Sequence, residues 1–272
     1  MGNNLPQADP KPKPQPTTKP ASVQSTGLSK VRGTPNKAQS LSLHLKQAST
    51  IGVFTFKDYK LCNFPVEIFQ LKNLRTLDLS RNCIVQVPPE IAAFQSLRAL
   101  TLHTNQIEQL PDDIGLCKRL EILNLSNNRL ATLPETFLSL KSLKSLELSN
   151  NLFPSFPISL TFLPNIAIID LSYNNISELP VCMADLNAHE LNISTNSITS
   201  LPIEMANCPY LKVLKVENNR LKLEGIPTEI LTVSKISLLK VEGNLFSQTE
   251  FQTKKGYDKF EERYSASKSK SY

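Results

Sequence analysis

The 272-residue chain has no tryptophan, eight glycines and three histidines, and its five cysteines contain no C-x-x-C pair. Each scarcity excludes something. Cys62, Cys83, Cys117, Cys182 and Cys208 are odd in number and scattered, which argues against a disulfide framework or a zinc ribbon and for reduced thiols in a cytosolic setting. His44, His103 and His189 are too far apart in sequence register to form a metal set or a catalytic pair, and no G-x-x-x-x-G-K, H-E-x-x-H or G-x-S-x-G occurs. No apolar run approaches the roughly 18 residues of a membrane span. The first twenty residues, MGNNLPQADPKPKPQPTTKP, hold no hydrophobic core of a secretory signal. The expectation is a non-enzyme without cofactor or metal.

Charge is unevenly placed. The net charge is +6, and the first fifty residues carry all of it, with seven basic residues against Asp9. The remaining 222 residues hold 23 basic and 23 acidic side chains. The body is therefore no basic platform, and no nucleic-acid partner is expected.

What the chain does have is a period. The pattern L-x-x-L-x-L-x-x-N recurs with asparagine at Asn82, Asn105, Asn128, Asn151, Asn174, Asn196, Asn219 and Asn244, preceded by a degenerate copy with Tyr59 in that slot. Steps are 23 residues, except 22 before Asn196 and 25 before Asn244. A fixed period of this length is the signature of a solenoid, here nine units of leucine-rich repeat. The L-x-L core is extended, with alternate side chains inward. Where the chain then bends, backbone groups are buried without strand partners and must be satisfied. An asparagine amide both donates and accepts, so stacked asparagines can serve successive bends.

The return half of each unit opens on X-Pro, at Pro65, Pro88, Pro111, Pro134, Pro157, Pro180, Pro202 and Pro227. Apolar residues follow three and six positions later, from Ile68 and Leu71 to Ile230 and Val233, as in a short helical turn with one buried edge and proline at its first position. Cys117 and Cys208 occupy these core slots. The fold class is α/β: a curved parallel sheet on the concave face, helical turns on the convex face, and helical caps at both ends. The division expected is a disordered Pro/Lys-rich arm (1–36), a capping helix (37–50), nine repeats (51–246), a second capping helix (247–265) and a basic tail (266–272). Ser247 and Glu250 have capping-box spacing, and Tyr257, Phe260 and Tyr264 share a helix face.

The repeat form LPxxIxxLxxLxxLxLxxN resembles the intracellular Ras-associated class of leucine-rich repeats, of the Shoc2 type. GVFTFKDYKLCNFP (52–65) and LLKVEGNLFSQTEFQTKKGYDKFEERYSASK (238–268) resemble the leucine-rich repeat-containing protein 57 family. That resemblance implies N-myristoylation at Gly2, although Pro6 breaks the usual M-G-x-x-x-[ST] pattern. Gly2 and the basic arm would then make a peripheral membrane tether at the cytoplasmic face.

The candidate partner surface is the concave sheet: Asp78, Thr101, Asn124, Glu147, Asp170, Asn192, Lys215 and Lys240 along one row, with His103 and Glu217 beside it. Val53, Ile122, Ile168, Val213 and Leu238 form a neighbouring apolar row. The reading is a monomeric interaction scaffold for a protein partner. A regulatory subunit in a phosphatase or small-GTPase pathway is the alternative by analogy, and an extracellular receptor-like array is a weaker one.

Overall fold

The computed structural model describes residues 37–269. Nine three-residue strands form one parallel sheet in sequence order: β1 (Val53–Thr55), β2 (Thr76–Asp78), β3 (Ala99–Thr101), β4 (Ile122–Asn124), β5 (Ser145–Glu147), β6 (Ile168–Asp170), β7 (Glu190–Asn192), β8 (Val213–Lys215) and β9 (Leu238–Lys240). The register is that of the repeat: Leu77, Leu100, Leu123 and Leu146 are consecutive partners and fully buried. Every strand turns its middle residue inward, and the flanking residues form two rows on the open face.

The asparagines are the hinge of each unit. Asn128 Oδ1 accepts from Ile107 N at 3.0 Å, in the preceding unit, while its Nδ2 donates to Leu102 O at 3.1 Å and Leu125 O at 2.9 Å. The same trio recurs at Asn105, Asn151, Asn174, Asn196, Asn219 and Asn244. Asn82 closes the ladder on Tyr59 N and Leu61 N, and Tyr59 instead stacks on Phe56 at 3.6 Å and meets Ser40 through its hydroxyl. No buried side-chain nitrogen or oxygen among the described residues lacks a partner.

On the convex side, seven units return through 3₁₀ turns, from Val66–Gln70 to Ile203–Asn207. The proline stands just before each turn, as its N-cap, rather than at its first position. Its extended ψ carries the chain in from the loop, and its missing N–H costs nothing there. The eighth unit departs. Its longer step holds an extra turn, Leu223–Gly225, and α2 (Thr228–Thr232) replaces the 3₁₀ turn. The α-helical twist rotates Val233 out to 66% exposure and buries Leu231 in its stead, correcting the expected core position.

The first cap, α1 (Lys37–Ile51), covers the front of the core with Leu41, Leu45 and Ala48. It stops at Gly52, whose φ of +70° would strain any other residue and where a Cβ would meet Asn73 O at 2.9 Å. At the back, where the sequence predicts one helix over 247–265, there are two: α3 (Gln248–Thr253) and α4 (Tyr257–Ser269). Gly256 makes the break, with φ +91° and Thr232 Cγ2 only 2.5 Å from where a Cβ would stand. Much of the expected tail thus belongs to α4. Ser247 and Glu250 form the capping box, and Phe251 and Phe260 seal the last unit. Arg263 reaches back to Ile230 O, Leu231 O and Ile236 O, the open carbonyl end of α2 and the chain beyond it.

Replacing Asn128 by alanine leaves the buried Ile107 N–H without its acceptor and takes one of two asparagine donors from each of the Leu102 and Leu125 carbonyls. The Asn128→Ala variant is expected to lose about 3 kcal/mol in denaturant unfolding. Asn244→Ala, whose side chain is only half-buried, should lose less.

Candidate interaction surface

The parallel pairing puts Thr55, Asp78, Thr101, Asn124, Glu147, Asp170, Asn192, Lys215 and Lys240 in one row across all nine strands, each half-buried. At about 4.8 Å per strand the row runs roughly 40 Å. The second row is Val53, Thr76, Ala99, Ile122, Ser145, Ile168, Glu190, Val213 and Leu238, in which Val53, Ile122 and Ile168 are 37%, 48% and 41% exposed. His103 and Glu217 stand two residues beyond the first row, at the strand ends. His103 Nδ1 meets Thr104 Oγ1 at 3.0 Å. All ten candidate contact residues therefore lie on one face.

Their roles are unequal. Asp78 Oδ1 accepts from both Ser80 N and Ser80 Oγ, and Asn124 with Ser126 and Asp170 with Ser172 repeat the arrangement. Asn192 accepts from Ser194 N. These side chains fasten the chain as it leaves the strand, so one oxygen of each is already committed. The serine two residues on is the signal, present in DLS, NLS, DLS and NIS, that reading the row alone passes over. Lys215 is paired to Glu190, Lys240 to Glu217 at 3.7 Å, and Lys57 to Asp78 at 3.5 Å. At the rim, Glu121 bridges Arg98 and Lys144, whose hydrogen bonds and charge hold its carboxyl below the usual range.

Glu147 is the exception. Burial first, then the charges of Asp170 and Glu190, push its carboxyl above the usual range, with Lys215 opposing. It has no ion pair among the described residues. A crowded, half-buried carboxylate beside exposed isoleucines is a surface that gains from a cation supplied from outside.

Cys117 and Cys208 lie in the core, donate to Ile91 O and Met183 O, and have thiols pushed by burial to about 11 and about 12. Among the described residues no group of His, Cys, Asp or Glu is arranged to hold a metal, and no helix is long and apolar enough to cross a membrane. A surface cleft of about 470 Å³ is mostly apolar and lies between Leu133 and Phe162, on the loops and turns rather than the sheet face.

Two family descriptions match the sequence: "Leucine rich repeat" over residues 95–153 and "Leucine Rich repeats (2 copies)" over residues 72–114. The array is built of leucine-rich repeats. Solved structures agree over more of the chain. The plant peptide hormone receptor RGFR1 in complex with RGF2 is 27% identical, with 71% of this chain and 32% of that one aligned at a TM-score of 0.59. The ectodomain of the receptor kinase GASSHO1/SCHENGEN3 from Arabidopsis thaliana, in complex with CASPARIAN STRIP INTEGRITY FACTOR 2, is 29% identical over 67% and 22%, at 0.55. The chain thus spans a third or less of those receptors. Internalin C2 from Listeria monocytogenes shares the fold at 18% identity and a TM-score of 0.63, over 74% and 92%.

A carboxyl with a raised folded-state pKa stabilises most when protonated, and that contribution is lost as pH rises through the raised value. Ionised Glu147 therefore opposes folding at neutral pH. Glu147→Gln is expected to gain about 0.5 kcal/mol at pH 7, an amount already reduced for solvent screening, and nothing below pH 4. Denaturant unfolding at the two pH values checks it.

Proposed function

We propose that this chain is a non-catalytic scaffold that holds a protein partner on its concave sheet, over strands β3 to β7. The observation that carries the reading is the exposed pair Ile122 and Ile168 beside the crowded Glu147 and Asp170. An aliphatic surface next to incompletely neutralised acid favours a segment that presents apolar and basic residues together. Leucine-rich-repeat folds are typically interaction modules, and the two plant receptors above are solved in complex with RGF2 and with CASPARIAN STRIP INTEGRITY FACTOR 2, which supports the use of such a face for protein ligands.

Ile122→Ser with Ile168→Ser removes apolar area without touching the core, because both side chains stand outside it. The double variant should keep its circular dichroism and unfolding midpoint and lose, in affinity capture with quantitative mass spectrometry, the proteins retained by wild type. Identical retention by both would remove the concave face from the function.

The finer placement follows the resemblance to the leucine-rich repeat-containing protein 57 family, and with it an intracellular setting. The tether residues, Gly2 and the arm to residue 36, lie outside the described residues. A single acyl chain anchors marginally, so Lys11, Lys13, Lys19, Lys30 and Arg32 would have to supply the second signal. Wild type is expected to partition in part to membranes and to leave them in raised salt, while Gly2→Ala stays soluble. An unmodified N-terminal mass in a fully soluble wild type would sink the tether.

A further inference from the structure

Several charges on the described surface are answered by a neighbour: Lys57 by Asp78, Arg81 by Asp58, Arg129 by Glu108, Lys215 by Glu190 and Lys240 by Glu217. A cluster of one sign stands elsewhere. Where α1 ends and the first strands begin, a cleft of about 310 Å³ is lined by Arg75, Arg98 and Arg119 together with Ser49, Thr50, Asn73 and Ser96, and by no carboxylate.

The arginines are held there by the fold. Repeat register puts Arg75 and Arg98 at matching positions, just before β2 and β3, and Gly52 turns α1 back so that its last residues face them. Arg75 Nη2 donates to Ile51 O at 3.2 Å, and Arg98 is braced from outside by Glu121 at 2.6 Å. Arg119 has no ion pair among the described residues. Around them, the Thr50 and Ser96 hydroxyls and the Asn73 amide donate no hydrogen bond among the described residues. Three arginines, of which only Arg98 has a carboxylate partner, and three idle neutral donors line one recess, a complement for a group with two negative charges and three or more acceptor oxygens.

We propose that this cleft receives a phosphoryl group, carried as phosphoserine or phosphothreonine on a protein segment lying along the concave sheet. The carrier rests on the scaffold reading; the anion does not. The cleft opens at the strand entrances, and Arg98 adjoins Ala99 of the exposed row, so a segment crossing β3 to β7 has its end at the cleft mouth. A recess lined by converging donors suits a side-chain phosphate better than the flat charge of a bilayer, which is met by outward-spread lysines and arginines. Phosphorylation of the partner would then strengthen its hold on this scaffold.

The test uses the full chain and N-acetyl-O-phosphoserine amide, with inorganic phosphate and phosphoinositide-doped phosphatidylcholine vesicles as parallel probes. Saturable NMR shifts at the amides of Thr50, Gly52 and Ser96 are expected with both soluble phosphates. Arg119→Gln should weaken binding about tenfold, the loss of one charge-assisted pair, and Lys118→Gln, on a residue that does not line the cleft, should not. Arg119 braces nothing in the fold, so the variant is expected to unfold at the wild-type midpoint. Absence of saturation in wild type, or shifts indifferent to Arg119→Gln, overturns the proposal. Vesicle binding that needs Arg119, without any response to soluble phosphoserine, overturns it in favour of a lipid. Failure of the concave isoleucine variants to lose partners, with phosphate binding intact, would instead fault the scaffold reading and leave the anion site standing.

Discussion

The structure depends on one hydrogen-bonding problem, solved eight times. Each coil must turn sharply at the end of a three-residue strand, and the turn buries an N–H of one unit and carbonyls of two. Asn105, Asn128, Asn151, Asn174, Asn196, Asn219 and Asn244 answer it identically, and Asn82 does so against the terminal coil. The third apolar carbonyl of a unit, such as Leu102 O, accepts both from its own asparagine and from the next unit's. That sharing couples neighbours directly. It is the polar half of the nearest-neighbour energy that makes a solenoid cooperative, the packed leucines being the other half.

The ladder imposes a local cost that the unit then tolerates. The residue before each ladder asparagine is left-handed, with φ between 53° and 57° at Arg81, Thr104, Asn127, Asn150, Tyr173, Thr195 and Asn218, and at +74° for Gly243. Asparagine and glycine accept this conformation easily; arginine, tyrosine and above all β-branched threonine do not. They hold it because these same residues continue the inter-coil pairing beyond the strand, as in Thr104 N to Ser126 O at 2.9 Å and Thr195 N to Glu217 O at 2.8 Å. Strain here is fixed by repetition and gives no sign of a site.

That pattern also separates what a single sequence reveals from what it hides. The inward leucines, the asparagines and the first cap were legible because their period makes each position an independent vote for the same geometry. The twin helices at the end were not, although Lys254-Lys255-Gly256 is a helix-stop signal, since Tyr257, Phe260 and Tyr264 read equally well as one helix face. Val233 was misplaced because the spacing of three and six residues from the proline, which suits a 3₁₀ turn, was carried into a unit where an α turn replaces it. On the open face the row itself was legible, but the commitments within it were not. Asp78 and Glu147 occupy equivalent positions, and only the coordinates separate the carboxylate tied to its serine from the one left crowded.

This inequality bears on how such a face acquires a function. A parallel sheet ordinarily has both faces covered, because its crossover connections lay helices on both sides. Here one face stays open, and Ser80, Ser126 and Ser172 turn half of its acidic and amide row into part of the scaffold. Lys215 and Lys240 are likewise neutralised by Glu190 and Glu217. What remains is sparse: two isoleucines, a crowded glutamate and, at the rim, Arg75 and Arg119, which have no ion pair among the described residues. Affinity for a partner must come from these few unanswered groups, since an already satisfied hydrogen bond or ion pair gains little when a ligand arrives. A long repeat face thus behaves as a small one. Recognition is confined to the places where the repeat leaves a charge or an aliphatic side chain unmatched, and the remaining area excludes water around them.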